Sequence, residues 1–218
     1  MKLPGIKEDM LEDLGDEDTE AILNHIKKVK EAIKKKKDLI EGKTPEITEA
    51  KPENEIEKLG KLLGDIESED EELISDIKRL KEETEELLNS VKKEIEITEK
   101  VEKYKGSSSE ELQEEMENEL VIGEAIEHQL NILQNIISTS KSAIKKAVKL
   151  KDKHKTKVGN TAENLNDMAM FIVRIIFNEE LPHLSVAYSL LKLDEWPEVE
   201  AKIQEIRTRF EMLGPKEP

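Results

Sequence analysis

The chain has 218 residues, a formal net charge of −16, 36% hydrophobic and 39% charged residues, and no cysteine. An average globular domain carries about 45–50% apolar and about 25% charged residues, so this composition suits long helices that each bury one stripe, and aromatics at only 3% disfavour a β-sandwich. The absence of cysteine excludes a disulfide framework and Cys-ligated zinc, and the acidic balance disfavours general binding to a phosphate backbone.

Taken in chain order, residues 1–16 are acidic and aperiodic, a flexible arm without the apolar run of a secretory signal. Residues 17–41 form an N-terminal helix. Ile22, Ile26, Val29 and Ile33 step by four, three and four and so share one face, and Gly42 stops the helix as a C′ residue. Residues 42–53 contain two prolines and no pattern, which reads as a linker.

The next stretch carries the clearest periodicity. Ile56, Leu59, Leu63, Ile66, Leu73, Ile77, Leu80, Leu87 and Val91 keep a heptad alternation, with Asp70 and Thr84 in two of its slots. Ser68 followed by Glu71 reads as a capping box. One helix therefore ends near Asp65 and another runs from about Ser68 to Lys105, the rival being one continuous helix from Asn54 weakened at Gly60 and Gly64. Gly106 to Ser109 is a break, and Ser107 with Glu110 offers another capping box. A long helix follows to about Lys157. Ile126, Leu130, Leu133, Ile137, Ile144 and Ala147 form its stripe, with Ser140 in one slot, and Ile122, Ile132, Ile136 and Val148 widen it. So wide a face serves a bundle of three or more helices.

Gly159-Asn160 is expected to end that helix and cap the next, which is apolar nearly all round from Leu165 to Phe177 and therefore buried on most sides. Leu181-Pro182 is expected to break it. A short helix covers His183 to Leu193, and a last one runs from Trp196-Pro197 to about Leu213. The fold class that follows is all-α: a long antiparallel, coiled-coil-like hairpin over residues 54–158 plus a small helical bundle over 159–218.

Charge order gives the hairpin its direction. The third helix opens on Glu69, Asp70, Glu71 and Glu72 and closes on Lys100, Lys103 and Lys105. The fourth opens on Glu110, Glu111, Glu114 and Glu115 and closes on lysines from Lys145 to Lys157. Each arrangement suits its own helix dipole. Folding back about Gly106 also sets acidic ends beside basic ends, whereas a parallel pairing would align like charges. At roughly 1.5 Å per residue the third helix would be on the order of 55 Å long.

Candidate sites are few. Two lysine clusters, Lys27 to Lys37 and Lys145 to Lys157 with His154, offer binding to nucleic acid or anionic lipid. The plainer account is a solvated helix C-terminus complementing its dipole, since no aromatics are interleaved to stack on bases. Glu124, Glu127 and His128 fall within one helical turn, but Ala125 breaks the Glu-x-x-His spacing of di-iron bundles. Glu180 and His183 have the spacing, with Pro182 inside it and no second copy. All four histidines (His25, His128, His154 and His183) are read as surface or edge residues. Gly60 and Gly64 follow no strand and precede no Lys-Ser/Thr, so they are taken to permit close helix approach. No nucleophile elbow occurs.

These absences point away from an enzyme and imply no cofactor and no metal. The leading expectation is a cytoplasmic, non-enzymatic scaffold or adaptor acting through protein–protein interaction and self-association, with a homodimer favoured. Asp70 and Thr84 would set the register of its seam. Two sets of residues are the candidate interface: Met168, Phe171, Ile172, Ile175, Ile176 and Phe177 on the apolar helix, and Ile77, Leu80, Leu87 and Val91 on the seam. The plainer account of the first set is the core of the C-terminal bundle. Alternatives are a nucleic-acid- or chromosome-associated protein using the lysines, or a metal-binding regulator or enzyme built on Glu124, Glu127 and His128. The longest apolar stretch, Met168 to Phe177 with Arg174 inside it, is too short to span a bilayer, which needs about 20 residues. Abundant Glu, Lys and Ile without Cys is also a thermophile-like composition.

Overall fold

The computed structural model describes residues 16–44, 51–66, 70–101, 109–190 and 196–213. The protein is all-α, with no strand among the described residues. Its helices are α1 (Asp16–Ile40), α2 (Pro52–Asp65), α3 (Glu71–Val101), α4 (Ser109–Ala147), α5 (Asp152–Ile175), a π-helical turn (Ile176–Glu180), α6 (Leu181–Leu190) and α7 (Trp196–Leu213). No helix among the described residues is long and apolar enough to cross a membrane. The arm before Asp16, the proposed caps at Ser68 and Ser107, the turn at Gly106 and the stop at Gly214 lie outside the described residues.

Local chemistry explains most boundaries. Gly42 adopts φ +70° and ends α1, a left-handed geometry that costs glycine nothing. Pro52 opens α2 at a position where its missing N–H is not needed. Asp70 is not a seam residue. It stands just before α3, and its Oδ1 accepts a hydrogen bond from the Leu73 N–H at 3.2 Å, an N-cap. Thr84 does occupy the seam, fully buried, and its Oγ1 donates to the Leu80 carbonyl at 2.6 Å. The hydroxyl is thus satisfied within its own helix.

Three expected features differ in the structure. α4 ends at Ala147, not near Lys157, and residues 148–151 form the turn into α5. α5 then runs through Gly159-Asn160 without a break. A glycine inside a helix costs about 1 kcal/mol, which the burial of Val158, Ala162 and Leu165 on the same helix outweighs. Nor does Pro182 break the chain's helical path. A proline lacks the N–H of the regular ladder and crowds the preceding turn. Here the turn before it widens, the Leu181 N–H bonding to the Ile176 carbonyl in the π pattern, and the helix continues.

By contacts the chain divides into two compact units. One holds Met1–Lys34, Lys92–His128 and Arg174–Pro218, and the other Lys35–Val91 and Gln129–Val173. The segments 54–158 and 159–218 are therefore each shared between the units.

In the second unit the start of α3 lies against the end of α4. Asp76 Oδ2 accepts a hydrogen bond from Ser142 Oγ at 2.7 Å and pairs with Lys146 Nζ at 2.9 Å. Lys146 also reaches Glu72 at 3.5 Å, and Lys149 lies 4.0 Å from Asp70. Acidic start against basic end is the antiparallel arrangement. α2 packs antiparallel to α5, because Glu55 meets Asn164 at 3.3 Å while Asp65 meets Lys157 at 3.3 Å. α2 is rotated slightly from the expected face: Glu55, Leu59, Leu62 and Ile66 are buried, and Ile56 and Leu63 only half so. The buried Glu55 Oε1 accepts from Asn164 Nδ2 at 3.3 Å and from Lys58 Nζ at 2.7 Å.

In the first unit, Ile22, Ile26 and Val29 of α1 are buried, as their spacing predicts. Aromatic contacts knit the rest. Tyr188 and Trp196 meet edge to face with centroids 4.5 Å apart, and Phe177 meets Phe210 at 5.9 Å, with the Arg207 guanidinium 5.4 Å above Phe177. Edge-to-face rings and an overlying cation add to the burial of apolar area.

Candidate interaction site

The residues expected to form an interface are mostly interior. Ile77, Leu80, Leu87 and Val91 are buried by the chain itself, as are Met168, Ile172, Ile175 and Ile176. Phe171 and Phe177 are half-buried.

Glu124 and His128 are exposed and Glu127 is half-buried. Among the described residues no three His, Asp or Glu side chains converge as a metal-holding group. Two histidines do meet, a pairing that the sequence gives no means of finding. His25 Nδ1 lies 2.9 Å from His183 Nδ1, with the rings 5.1 Å apart and tilted by 41°. One ring must donate and the other accept, so the contact holds only while one Nδ1 is unprotonated. Burial lowers the pKa of His183, the His25 and Lys28 charges lower it further, and Glu31 opposes them.

Glycine roles differ from expectation. Gly60 and Gly64 make no close helix approach. A Cβ at Gly64 would meet nothing within 4 Å, and one at Gly60 only the Lys81 side chain at 4.0 Å. The close approach is at Gly123, where a Cβ would lie 3.3 Å from Tyr188 Cε2 and 3.5 Å from Trp196 Cζ3. Gly123 sits in a helix with no neighbouring glycine to flag it, so only the packing of two distant aromatics exposes its role.

The polar groups inside the second unit join helices to one another. Lys36 and Gln129 are both fully buried, and Lys36 Nζ donates to Gln129 Oε1 at 3.1 Å across 93 positions of chain. Glu83 is largely buried beside Arg79 at 2.8 Å. Burial raises the pKa of Glu83, and the Arg79 hydrogen bond only partly offsets it. Hydrogen bonding to Asp76, opposed by a smaller effect of burial, raises the pKa of Lys146.

The two lysine clusters, alike in sequence, are placed differently. In α1, Lys28 pairs with Glu31 at 3.1 Å, Lys36 is buried and Lys37 lies in the last turn. Around the α4–α5 turn, Lys145, Lys151, Lys153 and Lys155 are exposed and make no ion pair among the described residues. Lys145 ends α4 and suits its dipole. The others do not. The Lys151 carbonyl accepts from the N–H groups of His154 and Lys155 at 3.0 and 2.9 Å, so Lys151 stands at the N-cap of α5, with Lys153 and Lys155 in its first turns. Cations there oppose the dipole by about 0.3–1 kcal/mol each at low salt, and lysine is not an N-cap former. Dipole complementarity, the plain account of this cluster, therefore fails for three of its lysines, because α4 ends ten residues earlier than its charge pattern implies. Val148, expected to widen the α4 stripe, instead sits in the turn with 62% of its surface exposed.

Comparison with known proteins matches no family model, no curated protein and no solved structure.

Proposed function

We propose that this chain is a non-enzymatic helical scaffold or adaptor that acts through protein–protein interaction and self-association. The observation that carries the reading is the Lys36–Gln129 contact. A fully buried lysine side chain is costly to desolvate, and a buried polar contact adds little net stability over an apolar pair of the same shape. Its use is to fix which helices pack and in what register, as buried polar residues do in helical assemblies. Asp76 with Ser142 and Lys146, and Glu55 with Asn164, are further polar contacts between helices of that unit. A bundle so pinned offers helix faces of fixed geometry, which is what recognition by a scaffold requires. The seam residues and most apolar-helix residues lie inside, so we assign recognition to the exposed faces.

Light scattering across a concentration series tests self-association, and a native-extract pull-down with cross-linking mass spectrometry tests partner binding. The expected result is a mass of two or more chains, with cross-links between exposed helix faces. A monodisperse monomer at high concentration together with no captured partner would reject the reading.

A further inference from the structure

We propose that the α4–α5 turn docks on an anionic lipid bilayer surface, Val148 entering the headgroup layer while Lys145, Lys151, Lys153 and Lys155 engage the lipid charges. Four observations converge on this turn. These lysines are exposed and unpaired among the described residues. Three of them oppose the dipole of the helix they precede or begin, so local helix chemistry does not explain them. A valine in their midst is 62% exposed, the most exposed large hydrophobic side chain of the described chain. Leu150, two residues on, is half-buried.

An apolar tip ringed by ammonium groups matches a surface with anionic headgroups outside and hydrocarbon beneath. Long lysine stems let the charge stay at the headgroups while the valine enters. Each lysine near an anionic membrane strengthens association by about fivefold. The tip also carries the exposed Asp152, while Asp70 and Asp65 lie beside Lys149 and Lys157. The four unpaired lysines outnumber Asp152, and the rest of the net charge of −16 acts weakly, because charges more than about 8 Å from the surface are largely screened at physiological salt. Nucleic acid fits less well. From Lys145 to Lys157 there is no aromatic residue to stack on a base, and an exposed valine has no use against a phosphate backbone. The inference does not depend on self-association, since a single chain carries the whole tip.

The test is flotation of the full chain with two kinds of vesicle, phosphatidylcholine alone and phosphatidylcholine mixed with phosphatidylserine. The chain is expected to float with the mixed vesicles only, and to be released as salt is raised. Replacing Lys145, Lys151, Lys153 and Lys155 together with Gln should weaken binding by at least tenfold. Val148→Ser should weaken it severalfold at unchanged charge. Replacing the exposed α1 residues Lys27 and Lys34 with Gln should leave binding close to that of the parent. All these positions are exposed, and circular dichroism with a thermal melt verifies that each variant folds. No flotation with mixed vesicles at low salt overturns the proposal, as does flotation that the four-lysine variant retains. Tighter retention of a short DNA or RNA duplex than of mixed vesicles, unaffected by Val148→Ser, would reassign the tip to nucleic acid and likewise overturn it.

Discussion

The α1 lysines and the α4–α5 lysines form similar runs in the sequence, yet the structure places them differently relative to helix ends. In α1 the run ends a helix: Lys28 binds Glu31 and Lys36 is buried against Gln129, while Lys27 and Lys34 are exposed. Around the α4–α5 turn the run straddles the end of one helix and the start of the next. Lys145, Lys151, Lys153 and Lys155 are exposed and make no ion pair among the described residues, while Lys146, Lys149 and Lys157 pair with Asp76, Asp70 and Asp65. The electrostatic sense of a lysine is set by its distance from a helix end. Moving a boundary by ten residues therefore turns complementary charges into opposing ones. A charge run is interpretable only once the helix ends are known.

Mutations can sharpen or break this contrast. The largest effect is expected at Lys36. Lys36→Ala removes a buried stem and leaves Gln129 without that bond, and should cost about 2–4 kcal/mol in chemical denaturation. A loss below about 0.5 kcal/mol would place Lys36 with the solvated lysines and erase the difference.

Next is Gly159→Ala. A Cβ there meets nothing within 4 Å, and Gly159 lies inside α5, so stability should rise by about 0.5–1 kcal/mol. Destabilisation would mean that the helix does stop at Gly159, restoring the second cluster to a helix C-terminus.

Smaller is the effect of Lys28 on the histidine pair. The folded-state pKa of His183 lies below its ordinary value of 6.5, so between the two values the folded chain binds fewer protons than the unfolded one. The stability contributed is complete above pH 6.5 and is lost as pH falls through the folded value. Denaturation midpoints followed against pH should show this loss, His183→Gln should remove it, and Lys28→Gln should narrow the window by withdrawing a repelling charge. An identical acid profile for parent and His183→Gln would exclude the effect.

The smallest change belongs to the tip. At physiological salt, which screens dipole interactions, replacing its four exposed lysines with Gln should alter stability by no more than about 0.5 kcal/mol, because removal of three charges opposing the α5 dipole is partly offset by loss of Lys145 from the α4 C-terminus. A loss beyond about 1 kcal/mol would show that these side chains have structural partners after all.

Much of the fold is legible in the sequence because helix signals are local. The three- and four-residue steps of Ile22, Ile26, Val29 and Ile33, the glycine at position 42 and the proline at 197 act within one or two turns, and the structure uses each as its chemistry predicts, whereas Pro52, read as linker, opens a helix. Acidic helix starts and basic helix ends likewise fixed the antiparallel sense of α3 and α4, which the Asp76–Lys146 pair records. Breaks were less legible. Gly159 and Pro182 read as stops, yet tertiary packing carries α5 through the first and a widened turn accommodates the second. The contacts that give the site its character had no sequence signal at all. Lys36 with Gln129, His25 with His183, and Gly123 beneath Tyr188 and Trp196 join residues far apart in the chain.

The sequence by itself determined that the chain is helical, which face of most helices is apolar and which way the central pair runs, because each follows from spacing and charge within a few turns. Only the tertiary structure decided that the expected interface residues are largely interior, that Lys36 is buried, and that Lys151, Lys153 and Lys155 begin a helix rather than end one. Burial and helix ends depend on what packs alongside, and that partner is distant in sequence.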